Sequence, residues 1–234
     1  MNPPRTRRTP ALLAGTALTV SALVVAGAAP ASAAPVHGNI AATAEANTNG
    51  TCALAPDEAS SSGEAATFTS GAGGATAHVQ EGYHASAAST VGASGSIDVE
   101  TTASGSTRDR AFKRLDLEST GLVMLRNDAA LDCGLELLAA SEATAVLKVA
   151  KRGKVRIAWN SSAGDLERFT LKGAAGVVLD RVPTRPEGEV TVRVKPGRYT
   201  LTSKASITAD EADVAVGATA TTLGFYTLRA TYLS

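Results

Sequence analysis

Apolar and polar side chains alternate with a period of two through much of residues 110–234, and this pattern restricts that region to extended structure. Successive side chains of a β-strand point to opposite faces, so each run places one face on a core and the other in water. Trp159 has the same parity as Val155 and Ile157, which predicts a core position for it. The clearest runs are residues 114–118, 154–159, 168–172, 189–195 and 226–232.

Turn-forming residues separate these runs at short intervals. Gly153 follows a basic segment, residues 173–176 begin and end with glycine, and Pro196-Gly197 suits a type II turn. Short strands recur without an intervening helical pattern, so the sequence predicts an all-β protein, an antiparallel β-sandwich of jelly-roll type over residues 63–234. The length accommodates one large sandwich or two packed ones, with a subdivision near residue 140.

Residues 64–107 carry a weaker pattern that is dominated by Ala, Gly, Ser and Thr. Helix is disfavoured there because Gly and β-branched Thr recur and no apolar stripe of helical period is present. Two interpretations remain open for this region: short strands joined by glycine turns, or a disordered segment of low complexity.

The first 34 residues have the three parts of a secretory signal peptide. Residues 5–8 carry three arginines, residues 11–29 are apolar, and Ala31 and Ala33 fit the small-residue cleavage rule. We therefore predict cleavage after Ala33 or Ala34 and a secreted or cell-wall-associated product. The alternative is an uncleaved anchor, since the apolar stretch approaches the ~20 residues that a membrane span needs.

Two further features bear on export. Pro10 and Ala11 stand where twin-arginine signals usually place an aromatic residue and Leu, so the general secretory route is favoured over the twin-arginine route. No second apolar segment of spanning length follows, and we expect no transmembrane segment in the mature form.

Residues 35–62 are predicted to be a linker or flexible arm, because large apolar residues are nearly absent and little surface can be buried there. The two cysteines, Cys52 and Cys133, predict one disulfide that fastens this arm to the body in an oxidising compartment. A closed loop of about 80 residues would contribute roughly 4 to 5 kcal/mol in the chain-entropy model. Free thiols or an intermolecular bridge are the alternatives.

The charge balance excludes a nucleic-acid footprint. The chain has 22 basic and 22 acidic residues, and removing residues 1–34 takes away three arginines, which leaves a net charge of −3. Lys148, Lys151, Arg152 and Lys154 form the one basic cluster, which we interpret as an exposed hairpin tip.

Five segments within residues 145–208 share a recognisable pattern of short strands and turns: 146–149, 153–157, 164–171, 176–179 and 196–201. Together they resemble the small β-sandwich of the bacterial pre-peptidase C-terminal type. The resemblance implies a sandwich with an accessory role in polymer or surface binding, and in some members a structural calcium ion. Asp165 and Glu167 are the positions that would bind calcium, with Glu167 standing where the family usually has a second Asp. Two carboxylates fall short of the six to eight oxygens that calcium takes.

No group of residues in the sequence clearly matches a known catalytic motif. A Ser-His hydrolase needs a nucleophile, a base and an orienting group, yet Gly92-Ala93-Ser94-Gly95-Ser96 departs from G-x-S-x-G at its last position. His37 lies near the predicted new N-terminus, and His78 and His84 are interpreted as exposed strand positions. The acidic segment Asp210–Asp213 is interpreted as a solvated loop, and nothing predicts an organic cofactor.

The sequence therefore favours an exported, non-enzymatic protein that acts at or outside the cell surface by binding a polymer, the wall or a protein. Two alternatives remain: a secreted hydrolase whose site is not recognisable, and a subunit that self-associates through its Ala-, Thr- and Ser-rich strands. A concave pocket that holds His78 or His84 within hydrogen-bond reach of a carboxylate would favour the hydrolase.

Overall fold

Two antiparallel β-sheets pack face to face in the computed structural model, which describes residues 34–162 and 165–234. The predicted signal peptide, except Ala34, lies outside the described residues, as does Gly164 of the segment that resembles the pre-peptidase family. The strands are β1 (Val36–Thr48), β2 (Ala53–Leu54), β3 (Ser61–Thr69), β4 (Ala75–Ala87), β5 (Thr90–Arg108), β6 (Ala111–Asn127), β7 (Leu135–Val149), β8 (Gly153–Ser161), β9 (Leu166–Gly173), β10 (Gly176–Arg181), β11 (Glu187–Val194), β12 (Gly197–Asp210) and β13 (Thr219–Leu233), with a 3-10 turn at Glu211–Asp213.

Sheet A has the strand order β10-β9-β12-β7-β1-β3, and sheet B has the order β11-β8-β13-β6-β5-β4-β2. Both sheets contain strands from each side of residue 140, so the described residues form one sandwich. The segment 145–208 is not a separate domain, because β7 pairs with β1 and β8 pairs with β13.

The period-two alternation determines which side chains enter the core. Strand β8 buries Val155, Ile157 and Trp159, and β13 buries Tyr226 and Leu228, as the alternation predicts. Full burial of a large apolar side chain contributes about 1.5–3 kcal/mol, so these strands supply much of the driving force for packing the sheets. The predicted all-β sandwich is confirmed.

The prediction of a flexible arm over residues 35–62 is wrong for residues 36–48. Strand β1 lies between β7 and β3, and its register with β7 runs from Val36 opposite Leu147 to Thr48 opposite Leu135. Its inward side chains are mostly alanine, which hides the alternation from a hydropathy pattern. They are buried because β4 and β5 of the other sheet cover them. The inward positions are Val36, Ile40, Ala42, Ala44 and Ala46.

Of the two interpretations left open for residues 64–107, strands are found. Most of the region lies in β3, β4 and β5, and β5 pairs with β6 along most of its length. The connections are tight: Ala88 and Ser89 between β4 and β5 both have positive φ, as do Asp109 and Arg110 between β5 and β6. Two consecutive residues with positive φ match the twist of the flanking strands in a hairpin. Among the described residues, no helix is long and apolar enough to cross a membrane.

Candidate functional site

Four large apolar side chains form a cluster on the outer face of sheet B, which we call the apolar patch: Leu122, Met124, Leu223 and Phe225. Strand β6 turns Val123 and Leu125 inward and β13 turns Tyr226 inward, so the residues of opposite parity face water. Leu223 is 68% exposed, Phe225 41% and Met124 40%, while Leu122 is partly covered.

Strand register brings the patch together. Leu122 is the direct partner of Leu223, and residues directly opposite on one face have Cβ atoms about 4.5–5.5 Å apart. Met124 and Phe225 lie two residues further along their strands, at opposite ends of this central pair. The cluster therefore depends on the pairing of two strands that are about 100 residues apart in the chain, which the pairing of Leu122 with Leu223 exemplifies.

Acidic residues border the patch on its β5 side. Asp98 is the strand partner of Leu122, and Glu100 is the partner of Thr120. The imidazole Nε2 of His78 lies 2.8 Å from Oδ1 of Asp98, so this carboxylate is already hydrogen-bonded within the sheet. The patch thus combines an apolar centre with a negative margin.

Asp165 supports the patch from the other side. Strand β8 ends at Ser161, opposite Tyr226, and the next residue makes one backbone hydrogen bond to Phe225, from the N–H of Ser162 to the carbonyl oxygen at 2.9 Å. The backbone N–H of Phe225 instead donates to Oδ2 of Asp165 at 3.0 Å and to Oγ of Ser162 at 3.2 Å. These side chains accept a hydrogen bond from a backbone N–H group that a longer β8 would have paired.

The calcium prediction for Asp165 and Glu167 is not tested by these contacts and stays a prediction. Oε1 of Glu167 accepts a hydrogen bond from the hydroxyl of Ser206, while Asp165 is bonded to Phe225. In the described ranges, no group of three or more His, Cys, Asp and Glu side chains gathers at metal-binding distance.

A small cavity lies between the sheets beside the patch. Its volume is about 20 Å³, and Gly121, Ser141, Ser206, Gly224 and Tyr226 are among the residues that line it. About 10–15 Å³ holds one water molecule, so this space suits a water rather than a sugar or a peptide side chain. Partner binding at this place would therefore occur on the surface.

Five hydroxyl groups form a buried network next to this cavity. Oγ1 of Thr101 donates to Oγ of Ser141 at 2.7 Å and lies 3.3 Å from Oγ of Ser119. The hydroxyl of Tyr226 lies 3.5 Å from Ser141 and 3.3 Å from Ser203. Burial raises the pKa of Tyr226, and the two serines only partly offset this effect. The network joins sheet A to sheet B and satisfies hydroxyls that would otherwise be costly to bury.

The histidines that the sequence singled out do not line the small cavity beside the patch. His78 contacts Asp98, and Nδ1 of His84 lies 2.7 Å from Oε1 of Glu58. Both imidazoles stand on the outer, exposed side of β4. The carboxylate half of the test for a hydrolase is therefore met, while neither histidine lines that cavity. His37 lies elsewhere, with Nδ1 3.1 Å from the carbonyl oxygen of Ala34.

Ser94, the central residue of the imperfect elbow motif, is the strand partner of His84. Its hydroxyl donates to Oδ2 of Asp128 at 2.5 Å, and Asp128 also pairs with Arg126 at 2.6 Å. In a hydrolase, the histidine would receive the proton of the serine. Here the Ser94 hydroxyl is committed to a carboxylate.

The acidic segment Asp210–Asp213 is only partly the solvated loop that the sequence predicts. Glu211 is 4% exposed, and its Oε2 accepts a hydrogen bond from the backbone N–H of Leu135 at 3.1 Å. Asp210 accepts from the N–H of Ala212 at 2.9 Å and caps the 3-10 turn, which a cluster of charges does not reveal. Both contacts stabilise the backbone at the beginning of β7 and after β12.

The predicted disulfide is confirmed. Cys52 and Cys133 are bonded, with their Cα atoms 4.7 Å apart. Cys52 directly precedes β2 of sheet B, and Cys133 lies two residues before β7 of sheet A, so the bond links the two sheets.

Comparisons with known proteins identify no family for this chain. No family model matches it, and no curated protein matches it. Solved structures with a distant likeness include the cleaved adhesin domain of Lys-gingipain, with 11% identity over 49% of this chain and 72% of that chain and a TM-score of 0.23. The N-terminal cellulose-binding domain of β-1,4-glucanase C from Cellulomonas fimi has 11% identity, 47% and 85% coverage, and a TM-score of 0.23.

The secreted serine protease VesC from Vibrio cholerae is a third such structure. It has 10% identity over 86% of this chain and 48% of that chain, with a TM-score of 0.27. At these identities and TM-scores, the likenesses assign the chain to no family.

Proposed function

We propose that this protein is exported and acts outside the cell as a non-enzymatic β-sandwich that binds a protein partner through the apolar patch. The observation that carries the proposal is the placement of Leu122, Met124, Leu223 and Phe225 side by side on a face that the core does not need. A cluster of exposed apolar side chains rimmed by polar residues is the usual mark of an interaction site.

The residue types favour a protein over a polysaccharide. Met and aromatic residues are enriched in protein interfaces, and a few such residues in a small central cluster carry most of the binding energy. The patch contains a single aromatic side chain, Phe225, whereas a sugar-binding surface depends on several aromatic faces. Asp98 and Glu100 at the margin favour a partner with an apolar centre and basic residues around it.

Export is supported by two independent features. The three-part pattern of residues 1–34 is that of a cleavable signal, and a disulfide between Cys52 and Cys133 persists in oxidising compartments outside the cytoplasm. The non-enzymatic part of the proposal is supported by Ser94, whose hydroxyl donates to Asp128 rather than to His84.

A pair of matched variants tests the proposed binding surface. Leu223→Asp places a charge at the centre of the patch, and Val177→Asp places the same charge on β10 of sheet A, where the side chain is 57% exposed. Both positions are exposed aliphatic residues on strands, so the two variants should fold alike. The purified full chain, as the producing cell exports it, is immobilised and exposed to the protein fraction of the cell surface.

We expect Leu223→Asp to lose about tenfold or more in affinity for the retained partner, since a desolvated charge in an apolar contact costs more than 1.4 kcal/mol. Val177→Asp should bind like the natural chain. Equal retention by both variants, or the absence of any partner that depends on Leu223, would contradict the proposal. If Leu223→Asp loses a self-associated form that the natural chain has, and no other partner is found, the proposed function is replaced by that of a self-associating subunit.

A further inference from the structure

A second surface, distinct from the apolar patch, lies at the other end of the same face of sheet B. Lys154 and Arg156 of β8 point outward, because Val155 and Ile157 point inward. Arg193 of β11 is the direct strand partner of Lys154, and Arg152 precedes β8 in the hairpin. We call these four residues, Arg152, Lys154, Arg156 and Arg193, the basic corner.

Like charges directly opposite each other destabilise a sheet unless groups of opposite charge neutralise them. Lys204 lies opposite Arg168, for example, and each of these two cations has an acidic partner. Lys204 is the strand partner of Glu142, with Nζ and Oε1 2.7 Å apart. Arg229 is likewise the strand partner of Asp116. Lys154 and Arg193 lie opposite each other without such partners, as Lys148 and Arg198 do on sheet A. In the part of the chain that the structure describes, none of the four residues of the basic corner has an acidic group within 4.0 Å.

The shape of the basic corner suits an extended ligand. An open depression of about 410 Å³ is lined by Arg152, Gly153, Lys154, Arg193, Leu233 and Ser234. This volume is far larger than a single phosphate group needs. A single exposed ion pair contributes at most about 1 kcal/mol, so useful affinity requires several charges of one ligand to bind at once.

We propose that the basic corner binds a linear phosphodiester polymer outside the cell. Three of its four cations are arginines, whose planar fork fits the oxygens of a phosphate group. Repeated phosphates along one chain would neutralise Lys154 and Arg193 together and remove the repulsion that the fold tolerates at this register. This surface is independent of the proposed protein partner, which contacts other residues.

A nucleic acid fits less well, although it also carries phosphodiesters. Single-stranded nucleic acids are held by exposed aromatic faces on which bases stack. The aromatic residues nearest in sequence to the basic corner are engaged otherwise: Trp159 is buried, and the hydroxyl of Tyr232 donates to the carbonyl oxygen of Lys151 at 2.9 Å.

The test uses poly(glycerol phosphate) as the probe, with glycerol phosphate, polyglutamate and single-stranded DNA of equal charge as comparisons. Lys154→Glu is the informative variant, because it places a carboxylate opposite Arg193 and creates the cross-strand ion pair that the natural chain lacks. Its matched control is Lys172→Glu, which makes the same charge change at an exposed position of β9 in sheet A. Affinity and melting temperature are measured on the full chain for each variant.

We expect Lys154→Glu to weaken polymer binding about tenfold or more while its melting temperature stays equal or rises, so a loss of binding cannot reflect unfolding. Lys172→Glu and Leu223→Asp should bind the polymer like the natural chain, and affinity should fall steeply with salt. Equal affinity of Lys154→Glu and Lys172→Glu, no binding at low salt, or tighter binding of polyglutamate or DNA would each overturn the proposal.

Discussion

The outer faces of the two sheets are both exposed to water, but they carry different kinds of side chain. On sheet A, a row of hydroxyl-bearing residues crosses three strands, since Thr170 pairs with Thr202 and Thr202 pairs with Thr144. The hydroxyls of Thr170 and Thr202 are 2.6 Å apart. On sheet B, the apolar patch and the basic corner interrupt a comparable polar surface.

The difference between the outer faces distinguishes side chains that the fold requires from side chains that it does not require. The inner faces of both sheets hold the core, so neither outer face needs large apolar side chains or unmatched charges. Sheet A fills its central outer positions with threonines, small residues and the ion pair Lys204–Glu142, and Lys148 lies opposite Arg198 towards one end of these strands. Sheet B carries the two surfaces for which we propose partners, the apolar patch and the basic corner.

The largest expected effect comes from the bond that joins the two sheets. Replacing Cys52 and Cys133 together by Ala should lower the free energy of unfolding by about 2–5 kcal/mol, because the unfolded chain regains the entropy of a long closed loop. Urea denaturation of both forms measures the loss. A loss below about 1 kcal/mol would show that side-chain packing between the sheets is sufficient to hold them together.

The next effect compares the two faces of a single strand. Leu228 of β13 is fully buried, and Leu228→Ala should cost about 2–5 kcal/mol through lost burial and a residual cavity. Leu223→Ala on the outer face should cost no more than about 0.5 kcal/mol. Denaturation midpoints of the two variants give the comparison, and similar losses would mean that Leu223 belongs to the core.

The smallest effect concerns the ion pairs of the two outer faces. Burial tends to raise the pKa of Asp116 on sheet B, but hydrogen bonds and charges from Arg114 and Arg229 outweigh burial and hold it below its ordinary value of 3.8. Because the folded pKa is the lower one, this stabilisation is present above pH 3.8 and is lost as the pH falls through the folded value. Asp116→Asn should cost up to about 1 kcal/mol at neutral pH.

For Lys204 on sheet A, the dependence of stability on pH has the opposite sign. The hydrogen bond from Lys204 to Glu142 raises the lysine pKa above its ordinary value of 10.5, so this stabilisation is present below that value and is lost as the pH rises through the folded pKa. Stability measured against pH should therefore show an acid-sensitive difference for Asp116→Asn and an alkali-sensitive one for Lys204→Met. A pH-independent difference in either variant would contradict the assignment.

The fold was largely readable from residues 110–234, where large apolar residues keep a strict period. Strand β1 was not, because Ala42, Ala44 and Ala46 face a core that other strands supply and carry too little apolar surface to show the pattern. The hairpin at Ala88-Ser89 was hidden for a related reason. Its positive φ values fall on residues that do not usually favour them, and the long pairing of β4 with β5 imposes the turn.

The candidate site was only half visible in the sequence. The apolar run Leu122–Leu125 breaks the alternation, which is the signal that one of its faces lies outside the core. Leu223 and Phe225 lie beside this run because β6 and β13, which are distant in the chain, pair in this register. In the same way, the hairpin lysines were visible as a cluster, but Arg193 joins them only through its pairing with Lys154.

Oxidative footprinting at Met124 tests the central claim most directly, because Met124 is the single methionine after Met1 and lies in the apolar patch. Brief hydroxyl-radical exposure followed by mass spectrometry reports how much of this side chain is accessible. Our account predicts that Met124 is oxidised readily in the free protein and is protected once the surface-protein partner is bound, while Val177 and Val178 on sheet A react equally in both states. Protection of the two valines with unchanged oxidation of Met124 would contradict the account and move the interaction to sheet A.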